Sequence, residues 1–471
     1  MAQTQYDSVS MPPRLPLVVT TSNRNDTVTK DARLVNCYIE VSEQGELHIF
    51  KRPGLADTSV ILDGQPGRGM YFWRGSLYTI FGGSIYKDLV LIGTGLDTTN
   101  GVYRFDAILG ATPKLVFGNG KKTYATDGTT VSSDLHTIDS DFPAEVVKGF
   151  AYLNGPIYVM QQQAVIWGSK VNSVDQAGDW DPLNFIRAQI EPDNGVFMAK
   201  QLVYVVALKQ WSTEYFFDAG NAVGSPLGPV QGMKVHYGCA HQDSVQKIDD
   251  VLLFLSINQT NSLQVSMLNQ GAFKVVSTPP IDRLISHADL TTVYSWQLKI
   301  DGHSFYVVTF VESNLTLAYD ITQELWFQWT DHNGNYFPII SSCYDAQGRH
   351  VLQHATNGRL YYMNAQTYKD LNDPIVVQII TPKFDGDTYR RKQLNMMKFV
   401  ADQVPGSIMT VEHTDDDYLN WSKPRTVDLG QKNPVLVNCG TFTKRAYRLT
   451  HTQDLPFRIS AAELQYDIGT L

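Results

Sequence analysis

The sequence predicts an all-β protein, and three observations support this fold class. Strand-type runs rich in Val, Ile, Tyr, Phe and Trp occur nearly everywhere from Met70 onward, and Gly, Asn and Asp separate them. The apolar residues rarely follow the 3.6-residue period of a helix. The hydrophobic share of 43% is that of an ordinary globular chain, which excludes a disordered protein.

The strand-type runs recur as units of three or four short strands. One hairpin runs from Met70–Trp73 through Arg74-Gly75-Ser76 to Leu77–Phe81, and another turns at Asn154-Gly155. The units recur at a mean interval of about 45 residues, which is typical of propeller blades. Their first predicted strands start at Tyr71, Leu115, Phe150, Leu202, Val251, Phe305 and Ser342. A small sheet buries both faces only between neighbours, so we predict a six- or seven-bladed β-propeller, with a set of β-sandwiches as the alternative.

The two ends of the chain lack this repeat, so we divide the sequence into three segments. Residues 1–60 are predicted to be an extended N-terminal arm, because Pro12-Pro13, Pro16 and the polar stretch Thr20–Lys30 cannot build a core. We expect residues 1–30 to be ordered only against another protein or subunit. Residues 61–372 form the predicted propeller. Residues 373–471 are predicted to be a C-terminal β-sandwich-like domain, since Ala446–Thr450 and Glu463–Tyr466 alternate.

Charge and composition exclude several classes of protein. Lys and Arg number 38 against 47 Asp and Glu, and the net charge of −9 argues against a nucleic-acid binder with a basic stripe. The longest apolar run, Leu202–Leu208, is far shorter than a membrane helix, and the N-terminus lacks the pattern of a signal peptide. The four cysteines are widely separated. We therefore expect a soluble protein that folds in a reducing compartment.

Two clusters have side chains that could bind a metal ion. His236, Cys239 and His241 supply three zinc-type ligands, but no second pair at a matching spacing completes a site. Asp415-Asp416-Asp417 lacks the Gly and Glu of a calcium-binding EF-hand loop. We predict local turns at both places, and neither a metal nor a cofactor.

Two further stretches are typical of a folding turn. Thr414-x-Asp416-x-Tyr418-x-Asn420-Trp421 is similar to the Asp-box of sialidase-like propellers, without its Gly. Ser173-x-Asp175, with Trp180 downstream, is a second imperfect copy. In such a turn the Asp accepts hydrogen bonds from backbone amides and the Trp packs beneath it. The role is structural.

Catalysis by paired carboxylates has four candidate residues, Asp218, Glu214, Asp193 and Glu191. The sequence contains no nucleophile elbow, phosphate-binding P-loop or zinc-protease motif. Glu214 is the most enzyme-like of the four because aromatic residues surround it, yet the favoured interpretation is that it pairs locally or faces solvent at a blade edge. We therefore predict no catalytic residue and a protein that is not an enzyme.

Three short motifs occur in a fixed order along the chain. The first is R-x-x-N-x-Y…P-G-L, with Asn36, Tyr38, Pro53 and Gly54. The second is P-D-G…S-x-x-E-Y-F…G, with Asn194 inserted, and contains Pro192, Asp193, Gly195, Glu214, Tyr215 and Gly238. The third is the turn that ends at Trp421, followed by Arg445 and Arg448. Together these motifs resemble those of the packaged-DNA stabilisation or tail-hub ("nozzle") proteins of short-tailed bacteriophages.

The resemblance implies a structural virion protein, made in the host cytoplasm and built into the phage tail. It implies a homo-hexameric ring below the head-to-tail adaptor, which extends the DNA channel and closes it with a needle or plug. It also implies contacts with tailspikes or fibres, DNA that passes without sequence-specific binding, and no insertion of this chain into a membrane. Two alternatives remain open: a propeller glycosidase or depolymerase acting on host surface polysaccharide, and a monomeric propeller that binds a carbohydrate or protein.

Overall fold

The structure is a computed structural model that describes residues 12–17, 31–62, 64–221 and 223–469. It has two units. The first unit comprises Met1–Gly54, Leu325–Gly334 and Ala365–Leu471, and the second comprises Leu55–Glu324 and Asn335–Asn364. These units divide the chain differently from the three predicted segments, because residues from the predicted arm and from the predicted propeller belong to the first unit.

The second unit is built from seven small sheets, counted over its described residues and numbered here as blades in chain order. Blade 1 contains Gly67–Trp73, Ser76–Phe81, Ser84–Lys87 and Val90–Thr94, and blade 2 contains Arg104–Ile108, Lys114–Gly118 and Thr123–Thr126. Blade 3 contains Ala151–Tyr152, Ile157–Met160, Val165–Ser169 and Trp180–Arg187, and blade 4 contains Gly195–Gln201, Tyr204–Lys209, Thr213–Asp218 and Leu227–Val235.

In blade 5, Gly238–Cys239 and Gln246–Ile248 both pair with Val251–Ile257, and Gln264–Asn269 and Ala272–Val275 follow. Blade 6 contributes Val293–Ile300, His303–Phe310 and Leu315–Asp320 to the unit, and blade 7 contains Ile339–Tyr344, His350–His354, Arg359–Asn364 and Gly54–Ile61. The described helices are Leu135–Ile138, Pro279–Ser286 and the 3₁₀ turn Gln242–Ser244. The predicted all-β propeller is confirmed, with seven blades.

The ring closes where blade 7 meets blade 1. The amide of Gly69 donates to Gln353 Oε1 at 2.8 Å, and Gln353 Nε2 donates to the carbonyl of Ile80 at 2.7 Å. The outer strand of blade 7 comes from before blade 1 in the chain, since Thr58 Oγ1 donates to the carbonyl of Leu360 and the amide of Leu62 to that of Gly358. The last blade therefore combines strands from both ends of the unit, which holds the ring shut.

Of two hairpin turns in the blades, the sequence predicts one correctly and the other wrongly. Trp73 pairs with Ser76 across a two-residue turn in which Arg74 and Gly75 both have positive φ, as predicted. The predicted strand start at Leu202 is wrong. Leu202 has a φ of +52° and lies in the turn between Gly195–Gln201 and Tyr204–Lys209. The turn could not be recognised in the sequence because its first residue is not Gly, Asn or Asp.

The first unit combines two sheets from distant parts of the chain. One sheet contains, in spatial order, Cys37–Val41, Leu47–Lys51, Arg458–Ile468, Lys392–Ala401 and Val435–Val437, with Thr441–Phe442 also paired to Lys392–Ala401. The other contains Leu325–Gln328, Arg33–Val35, Val377–Ile380, Ala446–His451, Ile408–Thr414 and Arg425–Asp428. Lys369–Asp370 and Asp373–Pro374 form a short hairpin. Strands of the predicted arm thus complete the C-terminal sheets.

The start of the described chain also lies on this unit. The amide of Leu15 donates to the carbonyl of Ala462 and the amide of Leu464 to that of Pro13, both at 2.8 Å. Leu15 and Leu17 are buried. For residues 12–17, the expectation of order only against another protein is therefore wrong, because this segment pairs with its own chain; residues 1–11 and 18–30 lie outside the described residues. No helix in the described ranges has the length and apolar character needed to cross a membrane.

Candidate functional site

The axis of the propeller is the most distinctive site in the second unit, and a turn from blade 5 crosses it. The turn occupies residues 241–245 and follows the predicted His236–His241 stretch. Cys239 Sγ–H donates to the carbonyl of His241, while His241 Nδ1 accepts from the amide of Asp243. Burial lowers the pKa of His241 and raises that of Cys239 to about 12. The predicted turn is present, and its Cys and His side chains are used to fold it.

Asp243 fixes this turn to blades that lie across the ring. Lys148, which precedes blade 3, places Nζ 2.6 Å from Asp243 Oδ2. Arg104 of blade 2 donates from Nη2 to the Asp243 carbonyl at 3.1 Å, and Ser295 of blade 6 donates to the same carbonyl at 2.8 Å. Blades 2 and 3 are not neighbours of blade 5, so these bonds span the axis. The turn therefore closes one end of the axial cavity.

The cavity beyond this turn has a volume of about 470 Å³ and is lined by the innermost strands of six blades and by Gly149 and Phe150, which precede blade 3. Its reactive-type side chains are held in neutral forms. Burial raises the pKa of the Cys343 thiol to about 11 and lowers that of His350 to about 4. Burial, followed by the nearby Asp106 carboxylate, raises the pKa of Tyr71 to about 12. A thiol with a raised pKa is a poor nucleophile, so the cavity offers contacts and charge rather than covalent chemistry.

Glu214, the most enzyme-like carboxylate in the sequence, is buried inside blade 4. Its Oε1 accepts from Lys209 Nζ at 2.6 Å and from the amide of Ile190 at 3.0 Å. Lys209 also lies 2.8 Å from Asp193 Oδ1, so one fully buried ammonium balances two carboxylates. Asp193 Oδ2 in turn accepts from the amides of Trp211 and Ser212. No substrate can reach either carboxylate in this arrangement, and the cluster joins two turns of the blade.

The side chains of the other two candidate carboxylates have partners outside this cluster, and Pro192 is exposed. Glu191 pairs with Lys234, and Asp218 Oδ2 accepts from Asn154 Nδ2. The glycines of the same motif occupy crowded positions: a Cβ on Gly238 would lie 2.2 Å from the carbonyl oxygen of Lys209. A Cβ on Gly195 would lie 2.9 Å from the carbonyl oxygen of Gln161. Tyr215 is buried and donates from its hydroxyl to Gln201 Oε1.

The motif near the N-terminus forms a buried junction in the first unit. Arg52 is fully buried and donates from Nε to Asn36 Oδ1 at 3.0 Å. Its Nη1 and Nη2 contact both carboxylate oxygens of Asp370, and Nη2 also donates to the carbonyl of Thr330. Asn36, with a φ of +54°, donates to Thr330 Oγ1 and to the carbonyl of Val376. One guanidinium and one amide therefore join all three segments of the unit.

The remaining residues of this motif pack around the junction. Tyr38 stacks on Phe50 with ring centroids 5.5 Å apart. The carbonyl of Pro53 accepts from Arg52 Nη1. Gly54 has no room for a side chain, because a Cβ there would lie 2.2 Å from the carbonyl oxygen of Lys369. No local pattern identifies Arg52 and Asp370 as partners, since they lie far apart in the chain.

The acidic turn before Trp421 has the predicted chemistry. Asp416 Oδ1 accepts from the amide of Asn420 at 3.0 Å, and the Asn420 and Thr414 side chains also donate to this carboxylate. These bonds, that of the Asn420 amide first, lower the pKa of Asp416 to about 2. Trp421 packs on Tyr418 and beneath the Arg448 guanidinium, 4.5 Å from its ring centroid. Arg445 binds Asp415 through two bonds of 2.7 Å.

The second predicted turn of this type forms with different residues. Asp175 pairs with Lys114 instead of capping the turn. Asp179 Oδ2 accepts from Ser173 Oγ at 2.7 Å and from the amide of Gln176 at 2.8 Å. Trp180 is buried as expected. The predicted capping residue is wrong because Asp179, four positions downstream, accepts from the backbone amide while the Asp175 carboxylate pairs with Lys114.

A family model described as "Bacteriophage P22 Gp10, beta-propeller" matches residues 14–368. The chain belongs to this phage stabilisation family. The resemblance drawn from the sequence motifs is thereby confirmed, and it places the chain among phage propeller proteins that stabilise packaged DNA. The motifs at Asn36–Gly54 and Pro192–Gly238 lie inside the matched range, whereas Trp421, Arg445 and Arg448 lie beyond it. No curated protein matches the chain.

Several solved structures are similar to this member of the phage stabilisation family. The computationally designed Ika8 protein is 8% identical, with a TM-score of 0.37, 66% of this chain covered and 100% of that chain. The WD40 propeller domain of Doa1 is 11% identical, with a TM-score of 0.32 and coverages of 66% and 98%. The extracellular domain of the putative hybrid two-component system BT4673 from B. thetaiotaomicron is 8% identical, with a TM-score of 0.43 and coverages of 73% and 42%.

Proposed function

We propose that this protein is a structural component of a phage tail, a hub that forms a homo-hexameric ring below the head-to-tail adaptor and retains packaged DNA. The observation that carries the proposal is the match to the phage stabilisation family over most of the propeller. In this role the ring extends the DNA channel, and a needle or plug closes it. Tailspikes or fibres are further partners of the ring.

The closed axis of the propeller supports a channel made by several subunits. The turn at Asp243 occupies one end of the axial cavity, and the volume of about 470 Å³ suits a small molecule rather than a duplex. DNA must then pass beside the propellers and not through one. A net charge of −9 suits such a wall, because few phosphate contacts would hold the passing duplex.

The burial of Glu214 and Asp193 favours this role over the glycosidase alternative. A glycosidase needs two carboxyl groups facing a sugar, whereas these two face a buried ammonium. Polysaccharide cleavage is therefore expected from neither the parent protein nor a Glu214→Gln variant. Cleavage by the parent that the substitution abolishes would establish the enzyme instead.

The mass of the purified full chain in solution tests ring formation. Native mass spectrometry and sedimentation are run with and without the phage's adaptor ring. We expect a hexamer, either alone or on the adaptor, and the same mass for Glu214→Gln, which keeps size and hydrogen bonding at a site inside the blade. A monomer under both conditions would contradict the hub and favour the monomeric binding module.

A further inference from the structure

The axial cavity of the second unit has a wall with unbalanced positive charge. Lys200 of blade 4 and Lys247 of blade 5 both line it. Lys247 is exposed and Lys200 is half-buried, with its Nζ 5.8 Å from the centre of the Tyr152 ring. Over the described ranges, neither ammonium forms an ion pair or a hydrogen bond. Two cations therefore face the cavity with no carboxylate at ion-pair distance in the described part of the chain.

Lysines elsewhere on the same blades are paired, which makes this wall unusual. Lys274 of blade 5 lies 2.5 Å from Glu324, and Lys234 of blade 4 pairs with Glu191. Lys299 of blade 6 pairs with Asp249. The chain carries nine more acidic than basic residues, so carboxylates are abundant. Their scarcity at the cavity wall leaves a local positive field inside an acidic protein.

The closed end of the cavity adds to this field. Arg104 and Lys148 together meet one carboxylate, that of Asp243. Asp106 is the carboxylate of the cavity wall, and its oxygens accept from the amides of Ala107 and Tyr152. Burial raises the pKa of Asp106 although Lys200 and Lys247 act in the opposite direction, so this carboxylate balances the lysines only in part. The cavity is therefore surrounded by four basic side chains and two carboxylates. The basic side chains are those of Arg104, Lys148, Lys200 and Lys247, and the carboxylates are those of Asp106 and Asp243.

Aromatic side chains supply the rest of the lining. They include Phe150 from the segment before blade 3 and five residues from blades 1, 2, 6 and 7, namely Tyr71, Phe72, Phe105, Trp296 and Tyr344. Apolar and aromatic walls with a few convergent polar groups are the usual composition of a small-molecule site, and the volume of about 470 Å³ lies within the usual range. Aromatic faces accept planar rings by stacking, and Lys is a common phosphate ligand.

We propose that the axial cavity of the propeller binds a small phosphate-bearing molecule with a planar ring, of about mononucleotide size. Lys200 and Lys247 contact the phosphate, and the aromatic wall contacts the ring. The turn at Asp243 forms the floor and sets how deep the ligand enters. The site lies within one chain and does not require a ring of subunits. A test of ligand binding is therefore independent of the proposal that the protein is a tail hub.

Isothermal titration calorimetry on the purified full chain tests this site with two probes. Deoxyadenosine monophosphate carries both the ring and the phosphate, and deoxyadenosine carries the ring alone. We expect saturable binding of the monophosphate at one site per chain, and affinity at least about tenfold weaker for deoxyadenosine because the lysine contacts are lost. Equal affinities for the two probes, or no saturable binding of the monophosphate at millimolar concentration, would overturn the proposal.

A double substitution, Lys200→Gln with Lys247→Gln, locates the phosphate contact. We expect it to weaken monophosphate binding about tenfold while the melting temperature stays close to that of the parent, because it breaks no ion pair or hydrogen bond and removes only the long contact of Lys200 with the Tyr152 ring. Lys274→Gln is the matched control, since it removes one charge from blade 5 away from the cavity. Unchanged affinity in the double variant, or an equal loss in the control, would show that the monophosphate binds elsewhere.

Discussion

The two units of this protein stabilise buried cations in the same way but are assembled from the chain in opposite ways. The second unit follows the sequence blade after blade as a series of hairpins, except that Gly54–Ile61 forms the outer strand of blade 7. The first unit needs Met1–Gly54, Leu325–Gly334 and Ala365–Leu471 together. Lys209 has its carboxylates within one blade, whereas Arg52 joins segments that lie hundreds of residues apart. Strands close together in the sequence pair to form the propeller, whereas strands far apart in the sequence pair to form the first unit.

The largest effect is expected from Lys209→Met in the second unit. The substitution leaves the buried carboxylates of Asp193 and Glu214 without their cation, and breaking a buried pair in this way costs about 3–5 kcal/mol. The free energy of unfolding in urea measures the loss. Arg390→Met, which removes an exposed charge, should change little. A stability equal to that of the parent would mean that this cluster does not hold blade 4 together.

A smaller loss is expected from Arg52→Met in the first unit. Asp370 retains some contact with water, so losing its partner leaves a less buried charge than in blade 4. Asn36 Oδ1 loses one of its two donors and keeps the amide of Thr330. We expect a loss of about 1–3 kcal/mol of unfolding free energy. The same urea titration measures it, and Arg390→Met again serves as the control. If Arg52→Met proved more costly than Lys209→Met, the three-segment junction would be the stronger of the two.

Acid should weaken both units through a buried neutral histidine. Burial lowers the pKa of His350 in the second unit to about 4 and that of His451 in the first to about 3. The folded values lie below the ordinary value near 6.5, so the unfolded chain binds more protons below that pH. The stability from each neutral ring is complete above pH 6.5 and is lost as the pH falls toward 4 or 3.

Melting temperatures between pH 7 and pH 4 check this effect in the full chain. We expect His350→Gln and His451→Gln each to have a flatter pH dependence than the parent, because each removes one group that must charge on unfolding. His287→Gln is the control, since this histidine is exposed. Curves for both variants that run parallel to the parent curve would contradict a role for either buried ring.

The same contrast explains how much of the molecule the sequence could predict. Residues next to each other in the chain set the Arg74-Gly75 hairpin and the Asp416 turn, and both form as expected. The turn at Leu202 was missed because apolar residues hide it. The junction of Asn36 and Arg52 was out of reach, because its partners come from strands whose pairing no local pattern specifies.

The sites followed the same rule. The motifs indicated the family without showing what each residue contacts. Glu214 looked enzyme-like beside its aromatic neighbours, and only the fold shows Lys209 and Asp193 around it. The ion pair of Lys148 with Asp243 could not be predicted from the sequence, because it forms only when the ring brings blade 3 and blade 5 together across its axis. Chemistry that depends on ring closure cannot be inferred from spacing along the chain.

The count of DNA-filled heads in purified phage particles tests the central claim most directly. Three preparations are compared: the parent, a phage that lacks this protein, and a phage that carries Glu214→Gln. We expect heads without the protein to fill and then lose their DNA, whereas the substitution, which preserves the bonds from Lys209 and Ile190, retains it. Stable full heads in the complete absence of the protein would contradict a role in retaining packaged DNA.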